Sequence, residues 1–234
     1  MTAVAIIPAR SGSKRIKNKN IKSFSGRPIL EWVIRTALSS KLFDKVIVST
    51  DCEKIAGLSE AVGAEIPYLR PENLSNDYAG VQEVVIHAID FLDKKDFYFD
   101  TVTLLYATAP FVTKEYLSKS LEAIKHVDFS ISVCAFPHPV ERALRLSEKG
   151  NVIEMIDKEH YLIRSQDHRI LYHDAGQFVS GRKHAWKTKV PLLSGNTAPI
   201  IVPRFQAQDI DNEEDWLEAE LKFLVLKKKG LIVD

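Results

Sequence analysis

Two cysteines, Cys52 and Cys134, are too few for a disulfide framework and lack the spacing of a metal site. A reduced, cytoplasmic protein is the expectation. No apolar run reaches the length of a membrane span. Met1 to Ile7 lacks a basic stretch ahead of a long apolar segment, so it does not read as a secretory leader. An excess of one charge is missing too. Against 32 Lys and Arg stand 31 Asp and Glu, a formal net charge of +1. With no aromatic-basic platform either, a nucleic-acid partner is not expected, nor a membrane surface. Neither GxxxxGK[ST] nor GxGxxG follows the first strand, which excludes a Walker NTPase and a Rossmann dehydrogenase. Internal repeats and low-complexity tracts are absent.

What remains is ordinary globular material, 234 residues with 45% hydrophobic side chains, enough to bury a core unaided. Val4 to Ile7, halted by Pro8, reads as a fully buried parallel strand. A helix is expected from Pro28, with Ile29, Leu30, Val33, Ile34, Ala37 and Leu38 inward. Strand character follows at 45–50, and Asp51 is expected to cap a helix ending near Gly63. A short strand at 66–69, a helix at 82–92, a strand at 102–106, a helix at 114–125 and a strand at 130–136 continue the rhythm. This alternation predicts an α/β fold, a doubly wound, mostly parallel sheet. The rhythm breaks over 138–173, read as an inserted hairpin excursion packed against a second subunit. Asn151-Val152-Ile153 is one of its β-like pieces. Strand character returns at 200–202 and 207–210. Asn212 then caps a final helix with Trp216, Leu217, Leu221, Leu224 and Val225 on its apolar side. The whole is one domain, 1–234.

In an open parallel sheet, ligands sit beyond the carboxyl ends of the strands. The first such end carries Ala9-Arg10-Ser11-Gly12-Ser13-Lys14-Arg15, then Lys17, Lys19, Asn20 and Lys22. Gly12 permits a positive φ and close backbone approach. Successive N–H groups in such a turn form an anion-binding concavity. Arg10 adds a forked donor and Lys14 a point charge. A solvated basic face is the competing reading. The buried strand before the run, the glycine within it, and Ile16 and Ile21 interleaved in it favour phosphate. Gln208-Asp209-Ile210-Asp211 is the second site. In extended chain, Asp209 and Asp211 project to one face and Ile210 to the other. Paired carboxylates suit Mg²⁺ together with substrate phosphates. Capping of the last helix is the competing reading.

The run from Ile7 to Ile16, followed by Lys19-Asn20, resembles the signature of the acylneuraminate cytidylyltransferases, which have glycine where Ser11 stands. The resemblance spans the chain. Arg70-Pro71-Glu72-Asn73-Leu74-Ser75-Asn76-Asp77 is similar to the family's RPxxLxxD segment and places Arg70 and Ser75 near cytidine. Tyr106-Ala107-Thr108-Ala109-Pro110 and Tyr172-His173-Asp174-Ala175-Gly176-Gln177-Phe178 resemble the pseudaminic acid branch, which serves bacterial flagellar and surface sugars. That branch continues with aromatics where Val179 and Ser180 stand.

The resemblance implies CTP on residues 9–14, Asn20, Arg70 and Ser75. It implies a nine-carbon acidic sugar on Tyr106, His173, Gln177 and Phe178, and Mg²⁺ on Asp209 and Asp211. Arg10, Lys14 and Asp211 would carry the reaction, CMP transfer with release of pyrophosphate. A homodimer is implied, the 138–173 excursion reaching the partner's site. Neuraminic, legionaminic or octulosonic acid as the acceptor, and an inactive nucleotide-binding module, remain open alternatives.

Overall fold

The computed structural model describes residues 2–150, 152–160 and 162–232. The chain runs through β1 (Ala3–Pro8), a two-residue ribbon of β2 (Ser23–Phe24) and β3 (Arg27–Pro28), α1 (Ile29–Ser40), β4 (Lys45–Ser49) and α2 (Glu53–Val62). Next come α3 (Val81–Lys94), β5 (Thr101–Leu105), α4 (Lys114–Ala123) and β6 (Phe129–Ala135). A hairpin of β7 (Leu144–Leu146) and β8 (Ile153–Met155) precedes β9 (Tyr172–Arg182), α5 (Lys183–Lys187), β10 (Thr197–Ile201) and α6 (Glu213–Lys228).

Six strands form the main sheet in the order β10-β6-β9-β5-β1-β4. β9 pairs antiparallel with both neighbours, and the other pairs are parallel. Both faces are covered, as the unbroken apolar run of β1 requires. Ala5 and Ile7 face one core with Val33, Ile34 and Leu117. Val4 and Ile6 face the other with Val85, Ile89 and Trp186. A third cluster, including Phe24, Trp32, Trp216 and Phe223, seats α6 against α1. Inside the sheet, Thr103, Ser180, Ser120 and Ser130 join their hydroxyls in one buried chain at 2.6–2.8 Å. Buried hydroxyls satisfied by one another avoid the desolvation cost of an orphan.

The antiparallel β9 matters for the site. Its N-terminal end lies at the carboxyl ends of β5 and β6, with Phe178 opposite Leu105 and Tyr172 opposite Ala135. Residues far along the chain therefore reach the rim where the loop after β1 begins.

Four local expectations need correction. Residues 66–69 form no strand; only bridges of Glu65 to Ile47 and Leu69 to Thr50 remain. Residues 207–210 join no strand, and the segment is held by the packing of Ile210 rather than by a ladder. Cys52, not Asp51, occupies the N-cap of α2, because Asp51 is drawn to the loop after β1. The buried face of α6 is Trp216, Ala219, Phe223 and Leu226, whereas Leu217, Leu221, Leu224 and Val225 are exposed. Leu38 likewise sits at the edge of the α1 face, at 36% exposure. In the excursion, β7 and β8 form the expected hairpin, and Asn151 lies outside the described residues.

Candidate active site

The loop after β1 is tied down from three sides. Ala9 N–H donates to the Ser49 carbonyl at 2.9 Å, continuing the strand pairing. The Ser11 N–H and hydroxyl both donate to the Asp51 carboxylate, at 2.9 and 2.7 Å. Burial raises the pKa of Asp51, but the bonds from Ser11 outweigh it and hold the group below the usual carboxylate value. Asn20, buried, donates from Nδ2 to the Arg10 carbonyl at 2.9 Å. Its amide shapes the loop as well as lining the cleft. Gly12 does not take the expected left-handed turn; Asn18 does, at φ 54°. The Ser11 N–H is spent on Asp51, so an anion at this loop is met by side-chain cations first.

Those cations face acids. Arg10 Nη1 lies 2.7 Å from Asp77, and Lys14 pairs with the other oxygen of the same carboxylate. The hydrogen bonds from Lys14 and then Arg10 depress the Asp77 pKa. Asp77 is thus a clamp on the loop rather than a helix cap; Asn76 receives the N–H groups of Tyr78 and Ala79 instead. Arg15 Nη2 lies 2.7 Å from Asp211, with Lys19 Nζ at 3.8 Å from the same oxygen. Burial lowers the Lys19 pKa, and Asp211 and Asp209 oppose that shift. Two basic pairs, each facing one carboxylate, line a cleft of ≈ 440 Å³ that also admits Tyr106. The loop and the distant aspartate therefore share one opening.

Beside it is a recess of ≈ 220 Å³ walled by Arg10, Arg70, Leu74, Asn76 and Val84. Arg70 is 5% exposed. Its Nε reaches Ser75 Oγ at 3.3 Å, and its Nη2, 4.0 Å from Asp51, has no hydrogen-bond partner among the described residues. A buried guanidinium N–H without a hydrogen-bond acceptor, at a recess, is a ready contact for a polar ligand.

A third cavity, of ≈ 530 Å³, opens on the β6 and β9 side, with His173, Asp174, Arg204, Phe205, Asp209 and Lys222 among its walls. Burial, with Asp209 adding to it against a bond from the Gly176 N–H, raises the Asp174 pKa. Tyr106 is pushed up to about 12 by burial and by Asp174 and Asp209, so it stays a neutral phenol. Asp209 and Asp211 thus serve adjoining cavities, with Ile210 buried between them.

Gln177 and Phe178 do not line these cavities. Gln177 is buried and donates from Nε2 to the Gln206 carbonyl, and Phe178 lies wholly in the core. They stand behind Tyr106, whose N–H is held by the Gln177 carbonyl at 3.0 Å. From the sequence Asp51 is expected only as a helix cap, and Asp77 and Asp174 appear only inside longer segments with no role of their own; Arg204 is not singled out at all. Alternation along β9 could have turned Asp174 and Gln177 apart; nothing local marks Arg204.

Among the described residues, no three His, Cys, Asp or Glu converge as a finished metal cage. The donor chemistry still fits a hard dication. The Asp209 carboxylate has no hydrogen bond or ion pair among the described residues, and it faces Asp174, which it repels. Such oxygens suit an ion that draws its remaining ligands from phosphates and water.

A cytidylyltransferase family model matches residues 4–188, which contain the loop, both clamped pairs of cations and the Arg70 recess. The chain belongs to the cytidylyltransferase family. Within that family it is 38% identical to the pseudaminic acid cytidylyltransferase of Campylobacter jejuni, over 96% of this chain and 97% of that one. It is 29% identical to the CMP-N,N'-diacetyllegionaminic acid synthase of Legionella pneumophila, over 99% and 100%. In fold it matches CMP:2-keto-3-deoxy-manno-octonic acid synthetase, solved with CTP, at a TM-score of 0.69 and 16% identity, covering 97% of this chain and 100% of that one. The doubly wound sheet is therefore that of the nucleotidyltransferases. Among the described residues, no helix is long and apolar enough to cross a membrane.

Proposed function

We propose that this cytidylyltransferase moves CMP from CTP to the anomeric hydroxyl of a nonulosonic acid of the pseudaminic class, releasing pyrophosphate. One observation carries the reading: the basic loop, Tyr106 and Asp211 line a single cleft, flanked by a recess with an unpaired arginine donor and by a larger polar cavity. The recess is of a size for one base and the cavity for one sugar. Arg10, Lys14, Arg15 and Lys19 would receive the triphosphate, which takes over from Asp77 and Asp211 as their counter-charge. Arg70 would donate to cytosine or ribose, with Ser75 orienting it. Catalysis then rests on positioning and on neutralising charge at the phosphorus.

Asp209 and Asp211 would hold Mg²⁺. When bound, that ion would neutralise phosphate oxygens and polarise the α-phosphate. Tyr106, neutral at any working pH, would donate its hydroxyl to the acceptor. The excursion exposes Leu144, Leu146, Ile153, Leu162 and Ile170, which supports a homodimer formed through it.

The test is incubation with CTP, Mg²⁺ and separate nonulosonic acids, reading pyrophosphate. Pseudaminic acid should give the highest kcat/KM, ahead of legionaminic and N-acetylneuraminic acids. Release without any acceptor preference, or none with all three, defeats the reading.

A further inference from the structure

The larger cavity holds two cations of different standing. Lys222 is committed: its Nζ donates to Gln208 Oε1 at 2.6 Å and pairs with Glu218 at 2.8 Å. Arg204, on the turn that precedes α6 in the chain, has neither a hydrogen bond nor an ion pair at its guanidinium among the described residues. It is carried on the short turn after β10, whose Arg204 carbonyl accepts the Ala207 N–H at 3.2 Å. That turn leads within five residues to Asp209, which lines the same cavity. The cavity's other charged walls, Asp174, Asp209 and Glu218, are acids. An anionic ligand would be repelled there unless one cation were free to meet it.

The acceptor chemistry supplies the anion. In a nonulosonic acid the attacking hydroxyl is on C2, and C1, its neighbour, is a carboxylate. A group that grips the carboxylate therefore fixes the nucleophile two bonds away. A guanidinium does this with two parallel N–H···O bonds, which set orientation as well as charge. We propose that Arg204 is the carboxylate anchor of the acceptor and the residue that makes this enzyme select an acid over a neutral sugar. This inference rests on the acceptor class proposed above. It adds a residue, and its failure can be told from failure of that class.

The experiment compares wild type with Arg204→Gln and Arg204→Lys, using pseudaminic acid and its C1 methyl ester as acceptors. Wild type should prefer the acid over the ester at least about tenfold in kcat/KM. Arg204→Gln should raise the acceptor KM at least about tenfold and lose most of that preference, with the KM for CTP unchanged. Arg204→Lys should recover part of the acceptor affinity, since charge remains but the fork is lost. Arg204 is exposed, so both variants should fold with the wild-type Tm. If wild type turns over the acid and Arg204→Gln keeps both its acceptor KM and its acid preference, the anchor is overturned. A rise in the CTP KM equal to that for the acceptor also overturns it, because the effect is then not on the acceptor. If wild type uses none of the nonulosonic acids, the acceptor class itself has failed.

Discussion

At the scale of single residues, the site is a set of charges held by partners that a substrate must replace. Lys14 is largely solvent-exposed, and among the described residues its ammonium pairs with Asp77. Lys14→Ala should lower kcat/KM for CTP at least about tenfold, or roughly 1.4 kcal/mol of barrier, measured by pyrophosphate release. Asp77 competes with phosphate for Arg10 and Lys14. An exposed ion pair is screened by water and contributes little. Asp77→Asn should therefore lower the Kd for CTP by no more than about fivefold, read by calorimetry without acceptor. Asp174 gives a pH signature. Burial and Asp209 raise its pKa in the folded state above the unfolded value of 3.8. The folded state then binds the proton more tightly. This contribution is fully present below the unfolded pKa and is lost as pH rises through the folded one. Asp174→Asn, which keeps an acceptor for the Gly176 N–H, should raise Tm at pH 7 more than at pH 4 in metal-free protein. An equal shift at both pH values would refute the assignment.

At the scale of elements, α6 shows how an apolar pattern can mislead. Leu217, Leu221 and Leu224 form a helical stripe as regular as Trp216, Ala219, Phe223 and Leu226. Packing chose the other stripe because Phe24 and Trp32 offer edge-on ring contacts to Trp216 and Phe223, and Phe111 a tilted one to Phe223. Phe223→Ala should cost about 3–5 kcal/mol in urea unfolding. Leu221→Gln should stay within about 0.5 kcal/mol. On β9, a Cβ at Gly181 would lie 2.4 Å from the Phe129 ring and 2.7 Å from Trp186 Nε1. Both rings are fully buried and stacked edge to face. Gly181→Ala should destabilise by about 1–3 kcal/mol, checked by the same unfolding.

At the scale of the whole molecule, the sequence by itself determined the doubly wound sheet, the basic loop after β1 and the capped final helix. Those features are written in short-range patterns: an unbroken apolar strand, helical periodicity, a capped helix at Asn212. Only tertiary structure decided which cavity each aspartate serves. It also decided that Asp51 pins Ser11 rather than capping α2, and that Gln177 and Phe178 support Tyr106 from behind. It alone left the Arg204 guanidinium without a hydrogen-bond or ion-pair partner among the described residues. Each of these depends on two segments meeting across tens of residues. A charge's environment is set by what the fold brings within a few ångströms, and no local pattern in the chain encodes that distance.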